Sequence, residues 1–195
     1  ITLDLAKLDR RFGLASEPEP RPELVLDLPL PISGNRAKFE DALIEDISEH
    51  AFANLPVQVR LVVTDAQSQA GQTPSMALTL PGKRFFDPLA AAIIEMRRDL
   101  LWNRSNAPRA AQIFKAMTHL PEDLTRDEKT FARLLAAVSK LDKAKAGLTA
   151  EARDAIAKDL WEIALLVEEG DLASARERLA RAQERLSEAI RNGAD

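Results

Sequence analysis

Proline placement constrains this chain more than any other feature. Of eleven prolines, all but Pro88, Pro108 and Pro121 fall within residues 1–82, leaving eight there. Proline removes a backbone donor and clashes with the preceding helical turn, so this first stretch is barred from long helices. After Pro81-Gly82 the apolar spacing changes from two to between three and four, the signature of amphipathic helix. The sequence therefore predicts an α+β chain of two domains, 1–82 built of strands and 83–195 all-helical.

Within the first domain, residues 57–64 (VQVRLVVT) form the clearest strand, followed by a polar loop over 67–72 and a second strand over 76–80. Residues 24–30 and 1–5 read as further strands, with Pro29 at the exit of the former. The stretch 16–22 (SEPEPRP) reads as a polyproline-like connector. Phe39, Leu43 and Ile47 recur every four residues, yet Asp41 and Glu45 between them also suit a strand; we read a strand to about Ile44 and a short helical turn over Ser48–Ala53. Short strands separated by turn residues suggest an antiparallel sandwich, and about 80 residues is short for a complete one. Alternation already present at Ile1, Leu3 and Leu5 reads as a fragment whose first strands lie outside it.

Five helix signals follow, with boundaries near residues 87, 107, 126, 150 and 172. Asp87-Pro88 combines an N-cap with proline at the first helical position, ahead of an apolar face at Leu89, Ile93, Met96 and Leu100. Pro108 opens a shorter helix carrying Ile113, Phe114 and Met117, which Leu120-Pro121 stops. Thr125 and Glu128 fit a capping box before Phe131, Leu134, Leu135, Val138 and Leu141. Thr149 caps a helix bearing Ile156, Leu160, Ile163 and Val167, and Gly170 is placed to end it in a left-handed turn. Asp171 then caps a last helix with Leu172, Ala175, Leu179, Ala182, Leu186 and Ala189 in a heptad seam, so the domain is expected to end in a helical hairpin. Trp102 and Trp161 are expected to anchor the helical core.

No constellation for catalysis is recognisable, and we expect no enzyme activity, no cofactor and no metal. There is no cysteine, which removes disulfides and thiolate chemistry, and no glycine-rich phosphate loop among the seven glycines. Ser16 and Ser48 lack a nucleophile elbow. Of the two histidines, His50 lies near Asp46 and Glu49, a grouping that suits a capped polar turn better than a metal site. The acidic corner Glu168-Glu169-Gly170-Asp171 has too few oxygen ligands for a calcium loop and reads as helix capping.

Net charge is −4, with 7 basic and 3 acidic residues over 83–115, too slight an excess to predict nucleic-acid binding. Arg97, Arg98 and Arg104, with Arg109, outline a basic patch beside Trp102 for phosphate or an acidic partner; the plainer reading pairs them with Glu95 and Asp99 or lays their stems on the tryptophan. The candidate interaction surface is thus Arg97, Arg98 and Arg104, together with Leu172, Leu179 and Leu186 on the last helix, which a second copy could share as a homo-oligomer. No apolar run reaches the length of about 18 residues needed to span a bilayer, so membrane attachment is expected only through segments outside this chain.

Several stretches resemble a known family: LDRRFGLASEPEPRP (8–22), DLPLP (27–31), EDISEH (45–50), RFFDPL (84–89), RRDLLWNR (97–104), HLPEDL (119–124) and EEGDL (168–172). They are similar to a family of long alphaproteobacterial membrane proteins classed as a domain of unknown function. Ala51-Phe52 stands where the family pattern has Pro-Trp, and Asn54 where it has glycine. The resemblance implies transmembrane helices upstream, a periplasmic location for this region, a glutamine- and glycine-rich tail and an incomplete immunoglobulin-like sandwich in the first half. It transfers no catalytic residue. A sandwich joined to a helical array, with no convergent catalytic set, is read as a structural or interaction module meeting other envelope proteins or its own full-length chain. Two alternatives are a helical-repeat-like peptide adaptor and an envelope enzyme with its site between the halves.

Overall fold

The computed structural model describes residues 1–4, 17–28, 39–119, 128–144 and 147–192. It is an α+β chain in two parts, small antiparallel sheets followed by helices. Among the described residues one compact unit takes 1–4, 20–28 and 39–83, and the other takes 17–19 and everything from Arg84.

In the first unit, β1 (Thr2–Leu3), β2 (Pro56–Val59) and β5 (Met76–Thr79) form a three-stranded antiparallel sheet in the order β1-β2-β5. Leu3 lies opposite Val57, and Val57 opposite Leu78. A second antiparallel pair joins β3 (Val62–Thr64) to β4 (Ala70–Gln72). Val57, Phe52 and Leu80 are buried, and Ile1, Leu3, Ile47, Val59 and Leu78 close over them.

The strand expected over 57–64 is therefore broken at Arg60-Leu61, and β4 occupies part of the stretch expected as loop. Asp65 explains the shorter turn. Its Oδ1 accepts the N–H groups of Gln67 and Gln69 at 2.8 Å, which reverses the chain between β3 and β4. Residues 24–28 carry no regular structure and join no ladder, although Ile1 and Leu24 exchange two backbone hydrogen bonds of 2.9 and 3.0 Å. Residues 39–47 form no strand; the period of four there belongs to an irregular stretch in which only Ile47 packs on the core. Successive tight turns do follow from Ile47 to Leu55, as expected. Residue 5 of the first strand, residues 29–30 with Pro29, the start of the 16–22 connector, the Leu120-Pro121 stop and the Thr125 cap lie outside the described residues; 17–22 carry no regular structure.

The second unit holds α1 (Pro88–Trp102), a 3-10 turn (Arg104–Asn106), α2 (Ala107–Met117), α3 (Glu128–Ala144) and α4 (Ala150–Asn192). Asp87 caps α1 as its sequence implies, accepting the Ala90 N–H at 2.8 Å with Pro88 next in line. Thr149 caps α4 through Ala152. Ile93, Leu100, Phe114, Leu134, Leu141, Leu160 and Ile163 are fully buried in one core. α4 packs against α1 and α3, and α2 against α3. Exposed ion pairs Lys115–Asp142, Arg133–Glu162 and Lys140–Asp159 tie neighbouring helices, each worth at most about 1 kcal/mol.

One continuous helix replaces the expected terminal hairpin. α4 runs unbroken for 43 residues through Gly170, a length of about 65 Å. Gly170 takes no left-handed conformation and has nothing within 4 Å of its Cβ position. A mid-helix glycine costs only about 1 kcal/mol, and its neighbours from Trp161 to Glu169 and from Leu172 to Glu177 are mostly good helix formers. This flanking propensity overrides the C-capping signal at Gly170.

Candidate interaction surfaces

Two polar clips hold the helical unit together. The first is Glu168, a buried carboxylate on α4. Its Oε2 accepts the N–H of Asp87 at 2.9 Å and of Phe86 at 3.0 Å, and Oε1 accepts Phe86 again at 3.1 Å. It satisfies the backbone donors just ahead of α1, where the helix dipole also favours negative charge. The second clip is Glu19. Its N–H donates to the Trp102 carbonyl at 2.7 Å, and its carboxylate lies between Arg104, at 2.9 Å, and Arg153. Arg153 is buried and also grips Asp154 at 2.9 Å. Asn103 Nδ2 donates to the Glu17 carbonyl, so residues 17–19 form a strap over the end of α1 and the start of α4.

These contacts reassign the arginines singled out by sequence. Arg97 is only 7% exposed, donates through Nε to the Ala157 carbonyl at 2.8 Å and stacks 5.1 Å from the ring of Trp161. Its place is inside the unit, so it presents no surface to a partner. Arg98 is half-buried and Arg104 is exposed but engaged with Glu19. The three therefore do not combine into a shared basic patch. Trp102 and Trp161 are half-buried at the margin of the core, with Phe85 meeting Trp161 edge to face at 5.5 Å. The sequence does not mark Glu168 and Glu19 as partners of these elements, because nothing local announces a contact spanning 81 or 134 residues.

The turn around His50 is spent on its own backbone. Asp46 Oδ1 accepts the Ser48 N–H at 2.9 Å, and hydrogen bonding by Ser48, with Lys83 nearby, holds the Asp46 carboxyl below its ordinary pKa. His50 Nδ1 accepts the Phe52 N–H at 3.1 Å while its ring meets Phe52 edge-on. Among the described residues no group of three His, Asp or Glu side chains is arranged to hold a metal ion.

The family model described as "Domain of unknown function (DUF4175)" matches residues 1–195. The chain belongs to this family. No curated protein and no solved structure matches it. A DUF4175 chain is thus placed by descent without an activity attached, and the surfaces of this structure carry the functional argument.

Among the described residues the exposed large apolar side chains include a group on α4 and a group around the β3–β4 ribbon. On α4, Leu179, Leu186 and Ile190 are 60%, 62% and 63% exposed, and every described side chain from Arg176 onward is exposed. Leu172 begins the same seam in the helical register, its side chain lying outside the described set. The β3–β4 ribbon and its neighbours leave Leu61, Val62, Val63 and Met76 exposed. No helix among the described residues is long and apolar enough to cross a membrane.

Proposed function

We propose that this chain is a non-catalytic structural or protein-interaction module from the periplasmic part of a membrane-anchored cell-envelope protein, meeting other envelope proteins or its own full-length chain. The observation that carries the interaction reading is the seam on α4. Three large apolar side chains stand exposed in a helical row, on a segment whose described side chains are all exposed. Helices in proteins draw most of their stability from packing an apolar face, so a covered seam is the stable condition of this one.

Four of the ionic groups serve the structure: Glu168 caps α1, Arg97 packs on Trp161, and His50 and Asp46 cap a turn. The envelope location and the upstream membrane anchor rest on the resemblance to long alphaproteobacterial membrane proteins. The peptide-adaptor alternative loses its motive, because the helix–turn–helix unit it needed is one continuous helix.

In-cell crosslinking of the full-length parent, with and without Leu179→Asp and Leu186→Asp, tests the proposal. Envelope proteins captured by the parent and released by the double variant are the expected result. Capture of cytoplasmic proteins alone, or enzyme-like turnover of a glycan, peptide or phosphoester panel by the purified chain, would overturn it.

A further inference from the structure

The positions flanking the α4 seam are predominantly basic, and that excess selects a partner. In the helical register Leu172, Leu179 and Leu186 alternate with Ala175, Ala182 and Ala189 along one stripe. Positions directly beside that stripe hold Arg176, Arg178 and Arg185 against one acid, Asp171 at the start, whereas Glu177, Glu184 and Glu188 fall farther round the helix together with Arg181 and Arg191. Flanking positions are those that meet a neighbouring helix across a coiled-coil seam, and they set its identity. Building on the interaction reading above, we propose that residues 171–192 dock an amphipathic helix that carries acidic residues beside a leucine and alanine seam.

A second copy of this chain fits the apolar stripe but not its flanks. In an antiparallel pair each leucine position faces an alanine position, Leu172 with Ala189, Leu186 with Ala175, and Leu179 with Ala182, yet Arg178 then falls opposite Arg185 of the second copy. In a parallel pair Asp171 falls opposite Arg176, but Arg178 and Arg185 fall opposite Gln183 and Ile190, and neither gains an acid. Glutamates at the partner's flanking positions remove both defects. A lipid surface is the poorer occupant as well: alanine at every second seam position buries little apolar area in a bilayer, whereas against a helix it permits close approach.

The test uses the whole chain and two synthetic helical peptides of about three heptads, with one leucine and alanine seam and either Glu or Lys at the flanking positions. Isothermal titration should show the Glu peptide binding at least about tenfold more tightly, with a preference that fades in high salt. Arg176→Glu with Arg185→Glu should reverse the preference. Leu179→Asp with Leu186→Asp should abolish binding of both peptides while the melting of the bundle, read by circular dichroism, stays unchanged. Equal affinities, a Lys preference in the unmodified chain, or no binding of either peptide would overturn the proposal. So would a chain that sediments as a tight dimer whatever peptide is added, or that binds phosphatidylglycerol vesicles more tightly than the Glu peptide. If the peptides fail while envelope crosslinks persist, the interaction reading stands and this assignment of its partner falls.

Discussion

The Glu168 carboxylate accepts the backbone N–H of Asp87 at 2.9 Å, so a residue on α4 caps the N-terminus of a helix that begins some 80 positions earlier in the chain. Asp87 in turn caps α1 from within, accepting the Ala90 N–H. Two carboxylates thus complete one helix end, one local and one distant.

Removing the distant one leaves two part-buried backbone donors without their carboxylate. Glu168→Ala is expected to destabilise the chain by about 2–3 kcal/mol, the cost of leaving charge-assisted hydrogen bonds to backbone unmade. Glu168→Gln keeps an acceptor and should lose only about half as much. Urea denaturation of the two variants measures both; an unchanged midpoint for Glu168→Ala would remove Glu168 from the structural role given to it.

A close approach fixes the end of the first unit. A Cβ on Gly82 would lie 2.8 Å from Cγ of Asn54 and nearer still to its side-chain nitrogen, and Asn54 itself has φ of 62°. Gly82→Ala should therefore cost about 1–3 kcal/mol through overpacking. Asn54→Gly removes the obstructing side chain and accepts the same φ, so the double variant should recover most of that loss. Independent, additive effects in the double-mutant cycle would contradict the contact.

Glu151, in the first turn of α4, has its carboxyl held below the ordinary glutamate value of 4.5 by hydrogen bonding to its own backbone and to Thr149, with Arg104 assisting. A depressed carboxylate contributes stability that is present above its unfolded pKa and lost as pH falls through the lower folded one. Thr149→Ala is expected to move the Glu151 midpoint upward toward 4.5, which carboxyl-carbon NMR titration reads directly. A midpoint that does not move would show that the threonine hydroxyl is not a cause.

The continuity of α4 makes an opposite prediction to a hairpin. With Gly170 in a helical conformation and open space at its Cβ position, Gly170→Ala should stabilise the chain by about 0.5–1 kcal/mol. A left-handed turn would instead make the same change destabilising by about 1–2 kcal/mol. The sign of the shift in thermal midpoint decides between them.

What the sequence by itself determined was local. Asp87-Pro88 and Thr149 announced their helix starts because a cap acts within three residues, and the stripes carrying Ile93, Leu134, Leu141, Leu160 and Ile163 announced their buried faces because helical spacing repeats every turn. The change of period near Pro81-Gly82 was legible for the same reason, since proline acts on the residue beside it. Tertiary structure decided the rest. Arg97 had the composition of a surface residue, and only the approach of α4 brought Trp161 and the Ala157 carbonyl to cover it. Gly170 carried a stop signal worth about 1 kcal/mol, which favourable helix formers on either side outweighed. Glu168 read as one of several acids at a corner until folding set it beside Asp87, because a hydrogen bond between residues so far apart leaves no periodic trace in the chain.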